Sequence, residues 1–436
     1  MRWGAGATGG VLLAAAGGLA RANGAFPDSV GILVPPDRPQ EITLSTNFGL
    51  ITTEDDGKNW TWSCEQPIAS QASLYQLGPA PLNRLYTLSE HGLLRSDDLS
   101  CTWAPAGGMG ANALLTDFFA DPTDPARLFA VGLPYSTQIM PKEVYESRDG
   151  GQSLGLALYH GSPSGDLTGV ESARGDPRIV YVGSYDTPGP HPRLVKSTDG
   201  GASWAAPMEL EASIGANIFR IIAVDPVDAQ KIFLLVTEGQ AQSLAISTDG
   251  GVTFTTPVHF AVALTAFARL ASGTILVAGL ESGADGNPTG VGFRSSDGGQ
   301  TFVPWAVPRL RALAERAGKV YGAADNFIDG FALAVSTDEG MTFRPLMTFI
   351  DVSSVRPCAL DACLASCRML AMLAVWPDSV CNAGAPPPAP PVPAPSGGTG
   401  GGCALRGEPS ATTTGDPVWW LGLVGISLLR RRGQKN

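Results

Sequence analysis

Along most of the chain, apolar and β-branched residues come in runs of four to six, separated by turns rich in Gly, Pro and Asp. Runs this short between turn residues predict packed strands rather than helices. The order is clearest in the middle of the chain. Residues 114–120 read as an inner strand, Asp121-Pro122-Thr123-Asp124-Pro125 as a turn, 128–132 as a second strand and Glu143–Ser147 as a third. The same order returns as Asp176-Pro177 before Ile179-Val180-Tyr181-Val182, and as Asp225-Pro226 before Ile232-Phe233-Leu234-Leu235.

Each third strand leads into one repeated motif, Ser/Thr-x-Asp-x-Gly-x-x-Trp/Phe, whose copies begin at Thr53, Ser96, Ser147, Ser197, Ser247, Ser295 and Ser336. Asp-Gly is a strong hairpin signal, because glycine tolerates φ > 0 and the carboxylate accepts nearby main-chain N–H groups. The closing aromatic starts the next strand and is expected to pack beneath the neighbouring turn. Two copies are degraded: Ser100 stands for the glycine in the second, and Leu154 for the aromatic in the third. The aspartates Asp55, Asp98, Asp149, Asp199, Asp249, Asp297 and Asp338 are 41 to 51 residues apart, the length of one four-stranded blade. Seven copies in phase predict an all-β fold, a seven-bladed β-propeller of four-stranded blades over residues 27–350.

These motifs resemble the Asp boxes (bacterial neuraminidase repeats) of the sialidase-like propeller superfamily, over roughly residues 30–350. The resemblance implies that the boxes occupy the turn between third and fourth strands, away from the active-site face, and that the seven aspartates are structural rather than catalytic or calcium-binding. Strands alternate in direction, so the Asp-Pro turns share the face of the boxes. The connectors between second and third strands lie on the other face, where propeller loops bind partners. Tyr135, Tyr185, Asp186, His191, Glu238, Glu281, Asp285 and Asp325 give those connectors an acidic, aromatic character and are the candidate binding residues.

The formal net charge of −11 offers no basic patch to neutralise phosphates, so a nucleic-acid partner is not expected. Sialidases of the superfamily carry an Arg-Ile-Pro motif and three carboxylate-clamping arginines. Here Phe219-Arg220-Ile221-Ile222 lacks the proline, and the other inner strands hold few arginines. No GxSxG elbow appears, and His91, His160, His191 and His259 show no metal spacing. No cofactor and no metal are expected. The leading expectation is a non-enzymatic binding or scaffold propeller for a protein or glycan. The alternatives are a glycoside hydrolase using loop carboxylates such as Asp186, Glu238 and Glu281, and an assembly-factor-like propeller, since the photosystem II assembly-factor family has similar boxes.

The two ends add an address. Met1-Arg2, an apolar run from Val11 to Leu19 and the small-residue site Ala20-Arg21-Ala22 read as a signal peptide over residues 1–22. Export makes disulfides the expected state of Cys64, Cys101, Cys358, Cys363, Cys367 and Cys381, with three possible pairings inside the cluster of the last four. Residues 351–382 read as a Cys-rich helical cap, with a helix over 360–376, and residues 383–402 as a Pro/Gly-rich linker. In the tail 403–436, Cys403, the apolar segment 417–429 and Arg430-Arg431-Arg432 resemble the MYXO-CTERM sorting signal of myxobacteria and their relatives. That resemblance implies processing near Cys403 and attachment at the cell surface or outer membrane, with the tail as a membrane contact before or after processing.

Overall fold

The computed structural model describes residues 27–68, 74–89, 92–111, 113–134, 142–283 and 288–382. Within them, seven antiparallel four-stranded sheets follow one another as the blades of a β-propeller. The signal segment, linker and tail, with Cys403, lie outside the described residues, as do Tyr135, Asp285 and His91. Blade 1 covers 29–63, blade 2 covers 75–105, blade 3 covers 113–160, blade 4 covers 165–209, blade 5 covers 218–260, blade 6 covers 263–305 and blade 7 covers 312–347. Blade 3 shows the pattern: Ala113–Ala120, Leu128–Pro134, Glu143–Ser147 and Ala157–His160 pair in that order.

The four-residue apolar runs have a simple cause. A second strand is sandwiched between its neighbouring blades on both faces, so alternation is replaced by continuous burial. Leu128–Val131, Val180–Val182, Ile232–Leu234 and Ile275–Ala278 are all fully buried. First strands touch those of adjacent blades and line the central channel.

At the repeated turn, both residues after the aspartate take positive φ in every copy, the conformation of a tight hairpin turn. Glycine fills most of these positions, but Leu99 and Ser100 adopt φ of 55° and 72°. The strained Ser100 is held by a 2.6 Å hydrogen bond with Ser63 Oγ and by a disulfide at its neighbour Cys101. Leu154, in the aromatic position, is buried, and its short strand Ser153–Leu154 pairs in parallel with Gly107–Gly108, just beyond blade 2. A Cβ on Gly108 would stand 2.4 Å from Leu154 O, so this junction requires glycine. The motif aromatics pack on the previous blade's outer strand: Trp204 on Tyr159 and Phe343 on Trp305.

Ring closure uses no shared blade. After blade 7 the chain crosses to blade 1 and adds Val352–Val355 as a fifth strand, parallel to the outer strand Trp60–Ser63. A helix, Leu360–Met372, shorter than expected, follows and buries Cys363 and Cys367 against a cluster that includes Trp62, Phe349 and Trp376. The cluster cysteines do not pair only among themselves. Cys64–Cys363 and Cys101–Cys358 reach back 299 and 257 residues to blades 1 and 2, and Cys367–Cys381 alone is internal to the cap. The cap residues Val352–Val355 thus belong to the blade 1 sheet. On the inner side, Arg316 of blade 7 donates to the carbonyls of Pro35, Arg38, Pro39 and Glu41 in blade 1.

The entropy lost by the unfolded chain grows with the loop a disulfide closes, on the order of 3 kcal/mol for 15 residues and nearer 5 for hundreds. Calorimetry of paired Cys→Ser variants should therefore show removal of Cys64–Cys363 lowering Tm by about 5 °C or more, and removal of Cys367–Cys381 lowering it less. The reverse order would contradict the clasp.

Candidate functional site

Main-chain bonds define the two faces. Gly150 N, Gly200 N and Gly250 N donate to Ala126 O, Arg178 O and Gln230 O, joining each repeated turn to the first-to-second-strand turn of its own blade. The second-to-third-strand connectors are at the opposite end, as expected.

The connector residues singled out in the sequence fall into one group and three separate positions. Tyr185, Asp186 and His191 share a hairpin of blade 4, where Asp186 stands opposite His191. Tyr185 OH donates to Asp166, 3.4 Å away, and Asp186 pairs with Arg193, which also holds Glu209 at 2.7 Å. His191 Nδ1 lies 3.2 Å from Glu211. Glu238, on blade 5, accepts Ser243 Oγ; Glu281, on blade 6, accepts Ala261 N; Asp325, on blade 7, accepts the N–H groups of Phe327 and Ile328. Each of these six is held by its own surroundings.

Ser243, His259 and Glu238 superficially suggest a nucleophile relay, with Ser243 Oγ 2.7 Å from His259 Nδ1. The order is wrong: the serine bridges the histidine and the carboxylate, so no carboxylate orients the imidazole. Ser243 is also fully buried, out of reach of a substrate. Among the described residues, no group of three or more His, Cys, Asp or Glu side chains is arranged to hold a metal ion.

On the turn face, the motif carboxylates are saturated by their own turns. Ser197 Oγ donates to Asp199 Oδ1 at 2.8 Å, Ser203 N donates to the same oxygen at 2.8 Å, and Ser203 Oγ donates to Oδ2 at 2.5 Å. The residue four beyond the aspartate completes the turn in every copy: Asn59, Thr102, Ser153, Ser203, Thr253, Thr301 and Thr342. Sequence reasoning passed over this polar position. Hydrogen bonds to the charged form hold Asp55, Asp199 and Asp338 down to about 2.

The same face carries ties between blades. The residue just before a second strand reaches the next blade's turn: Arg84 donates to Gly150 O at 2.6 Å, Arg127 to Gly200 O at 2.7 Å and Lys231 to Gly298 O at 2.5 Å. In blade 7, Glu339 replaces the glycine, and Thr274 donates to its carboxylate instead.

A second set of ties lines the channel. The first strands of blades 3 to 6 each carry a bulge, which frees main-chain groups from the ladder. Gln76 of blade 2 bonds Phe118 O and Ala120 N of blade 3, and Asp117 of blade 3 accepts Val170 N of blade 4. Glu171 of blade 4 accepts the Val224 N–H of blade 5. Burial raises Asp117 to about 6, against the Val170 bond and the Arg220 charge. Burial raises Glu171 to about 8, helped by the Asp117 charge. Both carboxylates were missed, although an acidic residue inside an apolar first-strand run is a readable signal.

The two sets of carboxylates titrate with opposite consequences. The motif aspartates are depressed below 3.8, so their stabilisation is present above about pH 4 and fades as the pH falls towards 2. Asp199→Ala should therefore lower Tm at pH 7 and approach wild type near pH 2. Glu171 is raised above its ordinary 4.5, so its ionisation costs stability as the pH rises from there through 8. Glu171→Gln keeps the acceptor for Val224 N and should match wild type at pH 4.5. At pH 8.5 it should melt about 3 °C higher, and a difference that does not grow with pH would refute the assignment.

No family model matches the chain, and no curated protein matches its sequence. Solved structures do share its architecture. A puromycin-hydrolyzing peptidase of Mycobacterium tuberculosis aligns with 75% of this chain and 54% of its own, at 12% identity and a TM-score of 0.50. BP39L lectin of Burkholderia pseudomallei aligns with 73% of this chain and 98% of its own, at 12% identity and 0.45. YCF48 of Cyanidioschyzon merolae aligns with 68% and 92%, at 14% identity and 0.44. The chain spans about half the length of that peptidase. At these identities the likeness is one of fold alone: this is a seven-bladed β-propeller clasped by disulfides to a C-terminal helix.

Proposed function

We propose that this is an exported, non-enzymatic binding propeller that recognises a protein or glycan through its connector face. The observation that carries the reading is the group of exposed apolar side chains at that end of the blades. Leu74, Leu114 and Ile218 stand at the starts of first strands, and Phe327 and Ile328 in the blade 7 connector, all at least 41% exposed. First strands ring the channel, so these side chains stand around its mouth on blades 2, 3, 5 and 7, where a partner large enough to span the channel would cover them together. The polar connector residues, being tied locally, supply a rigid frame. Apolar character weights the reading towards a protein partner.

Three disulfides suit an oxidising compartment and support export. The similarity of the tail to a surface-sorting signal, and of the repeated turns to Asp boxes of the sialidase-like superfamily, extends the proposal to display on the cell surface.

Flow cytometry of the labelled protein on cells of its own source tests the face. Leu114→Arg with Ile218→Arg should reduce binding about tenfold, while Val252→Arg, still more exposed and on the turn face, should not. Equal losses in both would overturn the assignment, and turnover of fluorogenic glycosides would replace it with the hydrolase reading.

A further inference from the structure

A pocket of about 650 Å³ opens on the face opposite the proposed binding surface. Its walls are the ends of the first strands of blades 1, 2 and 3 and the turns that follow, with Ile32, Val34, Leu77, Ala80 and Phe119 among them, and it extends to Arg174 of blade 4. It thus sits at the turn-face end of the channel. The lining comes from equivalent places in successive blades, the end of each first strand and the turn that follows it. The volume falls within the range of small-molecule sites.

The walls are pre-formed. Gln76 is bonded to Phe118 O and Ala120 N, which locks blade 2 to blade 3 along the pocket floor. The fully buried Asp121 accepts Thr123 N, Thr123 Oγ1 and Asp124 N, which fixes the adjoining turn. A cavity held this way need not be ordered by its ligand.

Arg174 is the basic residue that lines this pocket. Many basic residues on this face are consumed: Arg84, Arg127 and Lys231 by the blade ties, Arg178 by Asp176, Arg269 by Asp225 and Arg316 by four carbonyls. Arg174 is exposed, and among the described residues nothing engages its guanidinium. In a chain of net charge −11, an unpaired guanidinium at the rim of an apolar pocket complements an anion whose remaining body is apolar.

We propose that this pocket binds a small amphipathic carboxylate, with its head group on Arg174 and its acyl or aryl body against Ile32, Val34, Leu77 and Phe119. The site is independent of the connector face, so either can fail without the other.

Calorimetric titration of the full chain at pH 7.5 with octanoate, and separately with the neutral 1-octanol, tests it. Octanoate should bind saturably. Arg174→Gln should weaken octanoate about tenfold and leave octanol unchanged, Ala80→Phe should weaken both by filling the pocket, and Arg344→Gln, an exposed arginine far along the chain on blade 7, should change neither. No saturable octanoate binding would overturn the proposal, as would equal effects of the two arginine variants or an unaffected Ala80→Phe protein. Arg174 supports no internal bond, so its variant decides the question even if Ala80→Phe does not fold.

Discussion

A propeller depends on the closing of its ring. Each blade buries its two faces only against its neighbours, so a gap at any one junction would expose two apolar sheets at once. The gap that must be sealed lies between the first and last blades, whose residues are farthest apart in sequence and costliest in entropy to bring together. Here the seal is built twice. On the inside, one buried guanidinium, Arg316, gathers four carbonyls of the segment after the first strand of blade 1. On the outside, a parallel fifth strand covers the outer edge of blade 1, an edge that would otherwise offer unpaired main-chain groups to other chains. Two disulfides then hold that strand and its helix in place.

The remaining junctions are sealed by a repeated convention. A blade sends one side chain forward at the turn face, as Arg84, Arg127 and Lys231 do, and another along the channel, as Gln76, Asp117 and Glu171 do. In each case the acceptor or donor on the far side is main chain left unpaired by a turn or a bulge. Buried polar groups without partners are expensive, so these ties specify which blade surfaces meet and in what register. The acidic ties in the channel carry an electrostatic cost at neutral pH, and the saturated carboxylates of the turns carry the opposite sign.

Much of this was legible in the sequence, because local chemistry recurs at a regular interval. The seven turns, the strand runs of blades 3 to 5 and the division into two faces follow from residues within a few positions of one another. What escaped reading depends on distance or on context. No spacing rule connects Cys64 with Cys363, since their proximity exists only once the ring has closed. Arg84 and Arg127 look like ordinary surface arginines until the next blade's turn is placed beside them. Asp186, His191, Glu238 and Glu281 read as unclaimed polar loop residues because their partners sit across a hairpin or on a separate segment, while Asp325 is held by main-chain N–H groups of its own turn, which carry no residue signature. The pocket beside Arg174 is assembled from segments of four blades, a proximity that no local spacing registers.

The two long-range disulfides also change what it means to cut this chain. A protease that nicks any connector between blades 2 and 7 severs a covalent circuit at one point only, because Cys64–Cys363 and Cys101–Cys358 still join the flanking segments. The pieces remain one molecule, each blade stays beside its neighbours at an effective concentration set by the circuit, and the break can be tolerated as a local opening rather than a dissociation. Wherever proteases meet the propeller, the clasp preserves its connectivity, and its loss on reduction would turn a harmless nick into separation.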